Sequence, residues 1–263
     1  MNETQKKNND NSGESALQRR KAILDGLRSQ GSFPSHPLEL EWEIDGDDIL
    51  SSVYRSSDLS KRGVRGLLAE YFFENNIIPS VLRRGWTAVQ IPAGDWPYDC
   101  LLERDGKRVS IQVKLQRLER GLPKRFHARH YEQVYYDVEV QKTRTGQRRS
   151  HKQNDEQPSV LAPDVILPIP TRPYAFGAFD ILAVNMQPAT KRWTEFRFTV
   201  GTWLLERLNA PDLIEIHQPV SLEPNEVWTD DLSTCLEWVL SGKKMKILEE
   251  IKHPNRFRRK GRS

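Results

Sequence analysis

Cysteine is scarce in these 263 residues: Cys100 and Cys235 are the two present, too few for a disulfide framework or a cysteine-built zinc cluster. No apolar run approaches the length of a membrane span, so no membrane partner is expected. The first ten residues, Met1 to Asp10, lack the hydrophobic stretch of a secretion signal, which makes the cytoplasm the expected location. Also missing are a glycine-rich phosphate loop, a His-x-x-x-His metal spacing and any internal repeat. What remains is a chain with 37% hydrophobic and 29% charged residues, enough apolar material for a real core in a soluble globular protein of one large domain or two small ones.

The densest information lies between Trp96 and Lys114. Val109, Ile111, Val113 and Leu115 alternate with Ser110, Gln112 and Lys114, which at period two separates an apolar face from a polar one and predicts a half-buried strand. Tyr98 to Leu102 is a second short apolar run. Asp105-Gly106 in the charged segment between them is a hairpin signal, so the two strands should pair antiparallel. That pairing brings Asp99 toward Gln112 and Lys114. A carboxylate with an amide oxygen suits an oxygen-loving cation such as magnesium, and a nearby lysine can orient or deprotonate water or steady charge on a phosphate. One acid makes a thin metal site. Upstream, Lys61 to Asn75 carries Val64, Leu67, Leu68, Tyr71 and Phe72 at helical spacing with Glu70 beside that stripe, and Glu70 is the natural third ligand; a solvated helix position is the other reading of it.

This ordered set resembles the PD-(D/E)XK nuclease core, a fold that includes restriction endonucleases and Holliday junction resolvases: a helix with Glu70, a strand from Gly85 to Ile91, Pro97-Tyr98-Asp99, then Gln112-Val113-Lys114. The resemblance covers roughly residues 61 to 118 and continues more weakly to about residue 205. It implies an α/β, restriction-endonuclease-like core with a mixed central β-sheet flanked by α-helices. Asp99 would be the central metal ligand, Gln112 would stand at the (D/E) position, Lys114 would be the catalytic lysine, and Glu70 would match the acid of the first core helix. Asp99, Gln112 and Glu70 would thus hold Mg2+. Two departures stand out: Tyr98 separates the proline from the acid, and Gln112 replaces an acid, a known variation that lowers the local negative charge.

Between Arg104 and Lys152, fourteen Lys and Arg stand against five Asp and Glu, a net charge of +9 where the whole chain carries +4. A basic segment after the catalytic strand would face a phosphate backbone, with affinity that falls as salt rises; a solvated loop is the plain alternative for 141 to 158. The expected DNA-binding residues are Arg117, Lys124, Arg125, Arg129, Arg144, Arg148 and Arg149, and the candidate base readers are Arg125, Arg129, Gln141, Arg144, Gln147, Arg148, Arg149 and Gln153. The long stretch after Lys114, which the chemistry does not require, makes the match most like a type II restriction endonuclease. Its partners would be double-stranded DNA, a second copy in a homodimer, and a cognate DNA methyltransferase acting on the same site. A structure-selective repair or recombination nuclease and a catalytically silent DNA-binding module are the competing readings.

The remaining segments fall around this core. Residues 1–14 are polar and expected to be disordered, and 15–60 form an N-terminal part with an amphipathic helix over Ser15–Gln30 and an irregular acidic stretch from Phe33 to Asp48. The nuclease domain is expected over 61–240, with DNA-recognition insertions at about 116–175. His127–Val140 predicts a short helix and strand or one bent strand. Phe179–Val184 and Glu195–Val200 should form a hairpin joined by a polar turn and extend the same sheet, with Asp180 either structural or holding Lys114. Thr202–Leu208 and Leu232–Leu240 read as closing helices, and 241–263 as a basic tail.

Overall fold

The computed structural model describes residues 36–126, 134–141 and 173–247. The chain divides into two compact units, one through Arg62 and one from Gly63. The helix expected at Ser15–Gln30 and the tail beyond Ile247 lie outside the described residues.

In the first unit, the stretch expected to be irregular forms two helices, α1 (Pro37–Trp42) and α2 (Gly46–Arg55). Their starts are built from the very acids that made this stretch read as irregular. The His36 ring accepts the Leu38 N–H, the Glu39 carboxylate accepts the His36 N–H at 2.7 Å, and Pro37 occupies the first turn, where its missing N–H costs nothing. Glu39 also accepts the Gly46 N–H, and Asp45 caps α2 through the Asp47 N–H.

Helix α3 (Asp58–Phe72) runs on through a π-helical turn (Phe73–Ile77) into α4 (Ile78–Leu82). Pro79, at the start of α4, has no N–H to continue an α-helical ladder, which accounts for the widened turn before it. The buried line of this helix is Ala69 and Phe73, not the predicted stripe: Leu67 and Tyr71 are exposed. Phe73 packs edge-on against Phe196, and Glu70, one position from Ala69, is thereby carried to a half-buried location.

The strands are β1 (Thr87–Ala88), β2 (Cys100–Arg104), β3 (Lys107–Leu115), β4 (Leu118–Glu119), β5 (Leu122–Pro123), β6 (Arg125–Phe126), β7 (Tyr135–Glu139), β8 (Ile181–Asn185), β9 (Phe196–Val200), β10 (Glu206–Arg207), β11 (Ala210–Ile214) and β12 (His217–Ser221). The central sheet is mixed, in the order β1-β2-β3-β8-β9, so this is an α/β fold with a mixed central sheet and helices. Asp105 and Gly106, with φ of 53° and 72°, turn β2 into β3. Two successive left-handed residues are what a tight hairpin turn requires, which is the physical content of the Asp-Gly signal. β3 then pairs parallel with β8, and β8 antiparallel with β9. The predicted strand at Gly85–Ile91 shrinks to β1, paired with β2 at Thr87 and Ala88 and followed by the Val89 N–H, which donates to the Leu101 carbonyl at 2.8 Å.

Every residue of β8 and β9 is buried. A short helix, α5 (Gln187–Thr190), lies between them where a simple polar turn was expected. The free edge of β9 is closed by Phe198 and Thr229, whose main chains exchange hydrogen bonds of 2.8 and 3.0 Å. The helix predicted at Thr202–Leu208 is absent: a single 3-10 turn (Gly201–Trp203) leads into β10. The reason lies in Gln218, whose buried side-chain amide accepts the Leu205 N–H and donates to the Leu205 carbonyl, pairing that residue as a strand neighbour would. Helix α6 (Leu232–Leu240) begins as predicted, with Asp231 accepting the Ser233 and Thr234 N–H groups. Of the ambiguous His127–Val140 stretch, Tyr135–Glu139 is a strand, β7, between β12 and β6, and 127–133 lies outside the described residues.

Candidate active site

Antiparallel pairing of β2 with β3 sets Cys100 opposite Ile111, so Asp99 falls immediately before the paired segment and beside Gln112 and Val113. Its main-chain N–H donates to the Ile111 carbonyl at 2.9 Å. One carboxylate oxygen, Oδ2, accepts the Val113 N–H at 2.7 Å and is also bonded by Nε2 of Gln112. Burial raises the Asp99 pKa, while Lys114 and the Val113 N–H pull it back down.

Gln112 is buried, which is unusual for a polar strand residue and is explained by its partners. Besides Asp99, its Nε2 donates to the Val113 carbonyl at 3.1 Å, and its Oε1 accepts the hydroxyl of Tyr174 at 3.1 Å. Lys114, two residues on, is half-buried, with Nζ 5.9 Å from the centre of the Tyr174 ring. Burial lowers the lysine pKa, opposed by Asp99 and Glu70.

Glu70 enters from α3. Burial first, and then the charge of Asp99, raise its carboxyl to about 6, with Lys114 acting in the opposite sense. Glu70, Asp99 and Lys114 are therefore within electrostatic reach of one another and Gln112 is hydrogen-bonded to Asp99, although the four come from a helix, a strand entrance and the far end of a strand.

Tyr174 is the site residue that the sequence does not reveal. It lies in the stretch before β8, almost wholly buried, and its ring meets Phe179 edge-on at 5.4 Å. Its main chain is pinned by the Ile214 N–H, which donates to its carbonyl, and by β-bridges at Pro173–Gln141 and Ala175–Leu213. Burial, followed by the charges of Asp99 and Asp95, pushes its phenol well above the usual range, so it stays protonated. Pro173-Tyr174 carries no motif; only its place in the fold gives it a role.

Among the described residues, no group of three or more His, Cys, Asp or Glu side chains is placed to hold a metal ion. A divalent cation here would need amide and main-chain oxygens to supplement its acids. The oxygen donors of this cluster are the Glu70 and Asp99 carboxylates, the Val113 carbonyl and Oε1 of Gln112, whose Nε2 is the end that faces Asp99. These are hard oxygen donors of the kind magnesium takes, and they fit it.

Other candidates separate. Asp180 accepts both the N–H and the hydroxyl of Ser110, at 2.8 and 2.7 Å, and so ties the start of β8 to β3. Cys100 is partly buried in β2, its thiol pushed up to about 12 by burial and by Glu74 and Asp99, which leaves it unreactive at neutral pH. Of the basic residues, Arg117 pairs with Glu139 at 2.5 Å and Lys124 with the buried Asp137 at 2.9 Å, while Arg125 is exposed on β6. Gln141 donates to Glu139. Arg129, Arg144, Gln147, Arg148, Arg149 and Gln153 lie outside the described residues.

No helix of the described residues is long and apolar enough to cross a membrane. No family model matches the sequence, and no curated protein matches it. Among solved structures the chain is similar to a bacterial homing endonuclease, I-Ssp6803I, at 15% identity and a TM-score of 0.30, over 62% of this chain and 79% of that one. A backbone likeness at that score carries no weight for the fold or the chemistry.

Proposed function

We propose that this chain is a magnesium-dependent, sequence-specific endonuclease of the PD-(D/E)XK type acting on double-stranded DNA, most like a type II restriction enzyme. The observation that carries the reading is the convergence of Glu70, Asp99, Gln112 and Lys114 on one end of the β2–β3 hairpin, in the chain order that the resemblance requires. Glu70 and Asp99 would hold Mg2+ with the amide oxygen of Gln112. The bound ion would supply charge stabilisation at a phosphate oxygen.

The protein's own part is to position and move a proton. Burial makes the Lys114 ammonium readier to lose its proton, so Nζ can orient an attacking water and accept a proton from it. The Tyr174 ring beneath Nζ limits where that amine can point. Val113 fixes the Asp99 carboxylate through its N–H, so the acid does not wander between rotamers. Two copies in a homodimer would cut both strands, and a methyltransferase of the same specificity would protect the host's own sites.

A second reading, a silent DNA-binding module, draws on the same amide: Gln112 satisfies Asp99 with an N–H where an acid would not. Purified protein incubated with long unmethylated duplex DNA and with four-way junction DNA, each with magnesium or with EDTA, separates these readings and the structure-selective one. Discrete magnesium-dependent fragments support the endonuclease; intact duplex but cut four-way junctions support a structure-selective nuclease; binding with no cleavage of either supports the module.

A further inference from the structure

Gln112 has two chemically opposite ends, and the structure shows which groups meet each. Its Nε2 faces Asp99 and the Val113 carbonyl; its Oε1 faces the Tyr174 hydroxyl. Both ends are buried, so neither can turn to water for a substitute partner. For the amide to offer oxygen on the Asp99 side, it must rotate by half a turn about its last torsion, and its NH2 must then find an acceptor on the Tyr174 side. A phenol hydroxyl is both donor and acceptor, so Tyr174 can serve either orientation by turning its O–H. A glutamate at this position would need no such versatility, since both of its ends are oxygen.

We infer that Tyr174 is a positioning residue, whose hydroxyl reverses its hydrogen-bonding role so that Gln112 can present either its N–H or its oxygen to the Asp99 side of the site. The inference rests on the metal-binding reading above and explains how an amide stands where an acid is usual. With no cation, Tyr174 donates to Oε1 and the amide N–H quiets Asp99. With a cation, Nε2 donates to the Tyr174 oxygen and Oε1 is free to face the ion. Phenylalanine would leave the turned amide with a buried NH2 and no acceptor, which penalises the cation-ready orientation more than the resting one. The ring itself would keep its contacts with Phe179 and Lys114.

The test is Mn2+ binding to the full-length protein, read by the loss of the free-ion electron paramagnetic resonance signal, in a double-mutant cycle of Tyr174→Phe and Gln112→Glu. Tyr174→Phe should raise the Mn2+ dissociation constant by about threefold to fivefold, since one hydrogen bond is lost in each orientation and the orphaned N–H of the cation-ready one costs more than the orphaned carbonyl of the resting one. In the Gln112→Glu background the same substitution should change it by less than about twofold, because the phenol donates to a carboxylate in both states. Equal losses in the two backgrounds would reduce Tyr174 to a packing residue and overturn the inference, as would an unchanged constant in Tyr174→Phe. Absence of Mn2+ binding in the wild-type protein overturns the metal reading itself, and this inference with it. Thermal unfolding of each variant identifies any loss that reflects failure to fold.

Discussion

The main-chain N–H of Val113 donates to the Asp99 carboxylate at 2.7 Å, so the acid in front of β2 is gripped by the strand that carries Gln112 and Lys114. Position and charge are thereby coupled: whatever holds β2 against β3 also aims Asp99. The catalytic proposal makes both ends of this arrangement indispensable. Asp99→Ala and Lys114→Ala should each lower magnesium-dependent cleavage by at least about a hundredfold while circular dichroism still reports a folded chain. Cleavage retained in either variant would remove that residue from the site.

A raised carboxyl at Glu70 predicts a pH limb. With its pKa near 6, Glu70 carries a proton over much of the range below pH 6, and cation binding and cleavage should fall there with unit slope. The stability effect has the opposite sense. A folded-state pKa above the unfolded one stabilises the chain below the unfolded value and loses that contribution as pH rises through about 6. Without divalent cations, Glu70→Gln should therefore unfold at a higher temperature than the parent at pH 7, and at pH 4 the difference should vanish.

Gly201 follows β9 where no side chain fits. A Cβ there would lie 2.5 Å from the Phe179 carbonyl oxygen and 3.3 Å from that of Asp180. Both neighbours are main chain and cannot swing aside, and the Gly201 N–H donates to the Asp180 carbonyl at 2.7 Å. Gly201→Ala should cost roughly 1–3 kcal/mol, measured by urea unfolding. Because Asp180 ties β8 to β3, Mn2+ affinity should weaken in the same variant.

Thiol chemistry offers a quick check on packing. Cys100 is shifted to about 12 and Cys235 is pushed well above its ordinary value by burial. Iodoacetamide at pH 8 should label neither within an hour in the native protein and both after denaturation, as read by mass spectrometry. Rapid native labelling of Cys100 would contradict the described pairing of β2.

Below about pH 4 a different group governs stability. Asp137 is buried between Lys124 and His217, at 2.9 and 3.0 Å, and these partners hold its pKa below the usual value against the effect of burial. A depressed acid stabilises the fold above its unfolded pKa and loses that contribution as pH falls through its folded one. Asp137→Asn should flatten the acid limb of the unfolding curve, with the melting temperature at pH 7 lowered.

The hairpin of β2 and β3 is legible in the sequence because its two signals are local: an Asp-Gly pair for the turn and strict alternation for the faces. Asp231 at the start of α6 is legible for the same reason. The capped start of α1 is local as well, yet the acidic composition around His36-Pro37-x-Glu39 hides it. Leu67 and Tyr71 mislead because hydrophobic spacing names an apolar stripe without saying which line of the helix meets the sheet; Phe73 wins through its contact with Phe196 of β9, and Ala69, one turn before it, is buried with it. Gln218 takes Thr202–Leu208 out of helix from thirteen residues beyond Leu205. Tyr174 is hidden for the plainest reason: what it touches lies sixty residues earlier, and no spacing rule reaches that far.

The parallel pairing of β3 with β8 also sets an order of events in time. A hairpin such as β2–β3 closes in about microseconds, but a parallel neighbour seventy residues away must first surrender the freedom of a long loop. On the ribosome, a nascent chain that has not yet released Ile214 can hold Asp99 against Val113 but lacks Leu213 and Ile214, which pin the segment carrying Tyr174. Competence for chemistry therefore arrives after the hairpin, when the second half of the chain has emerged.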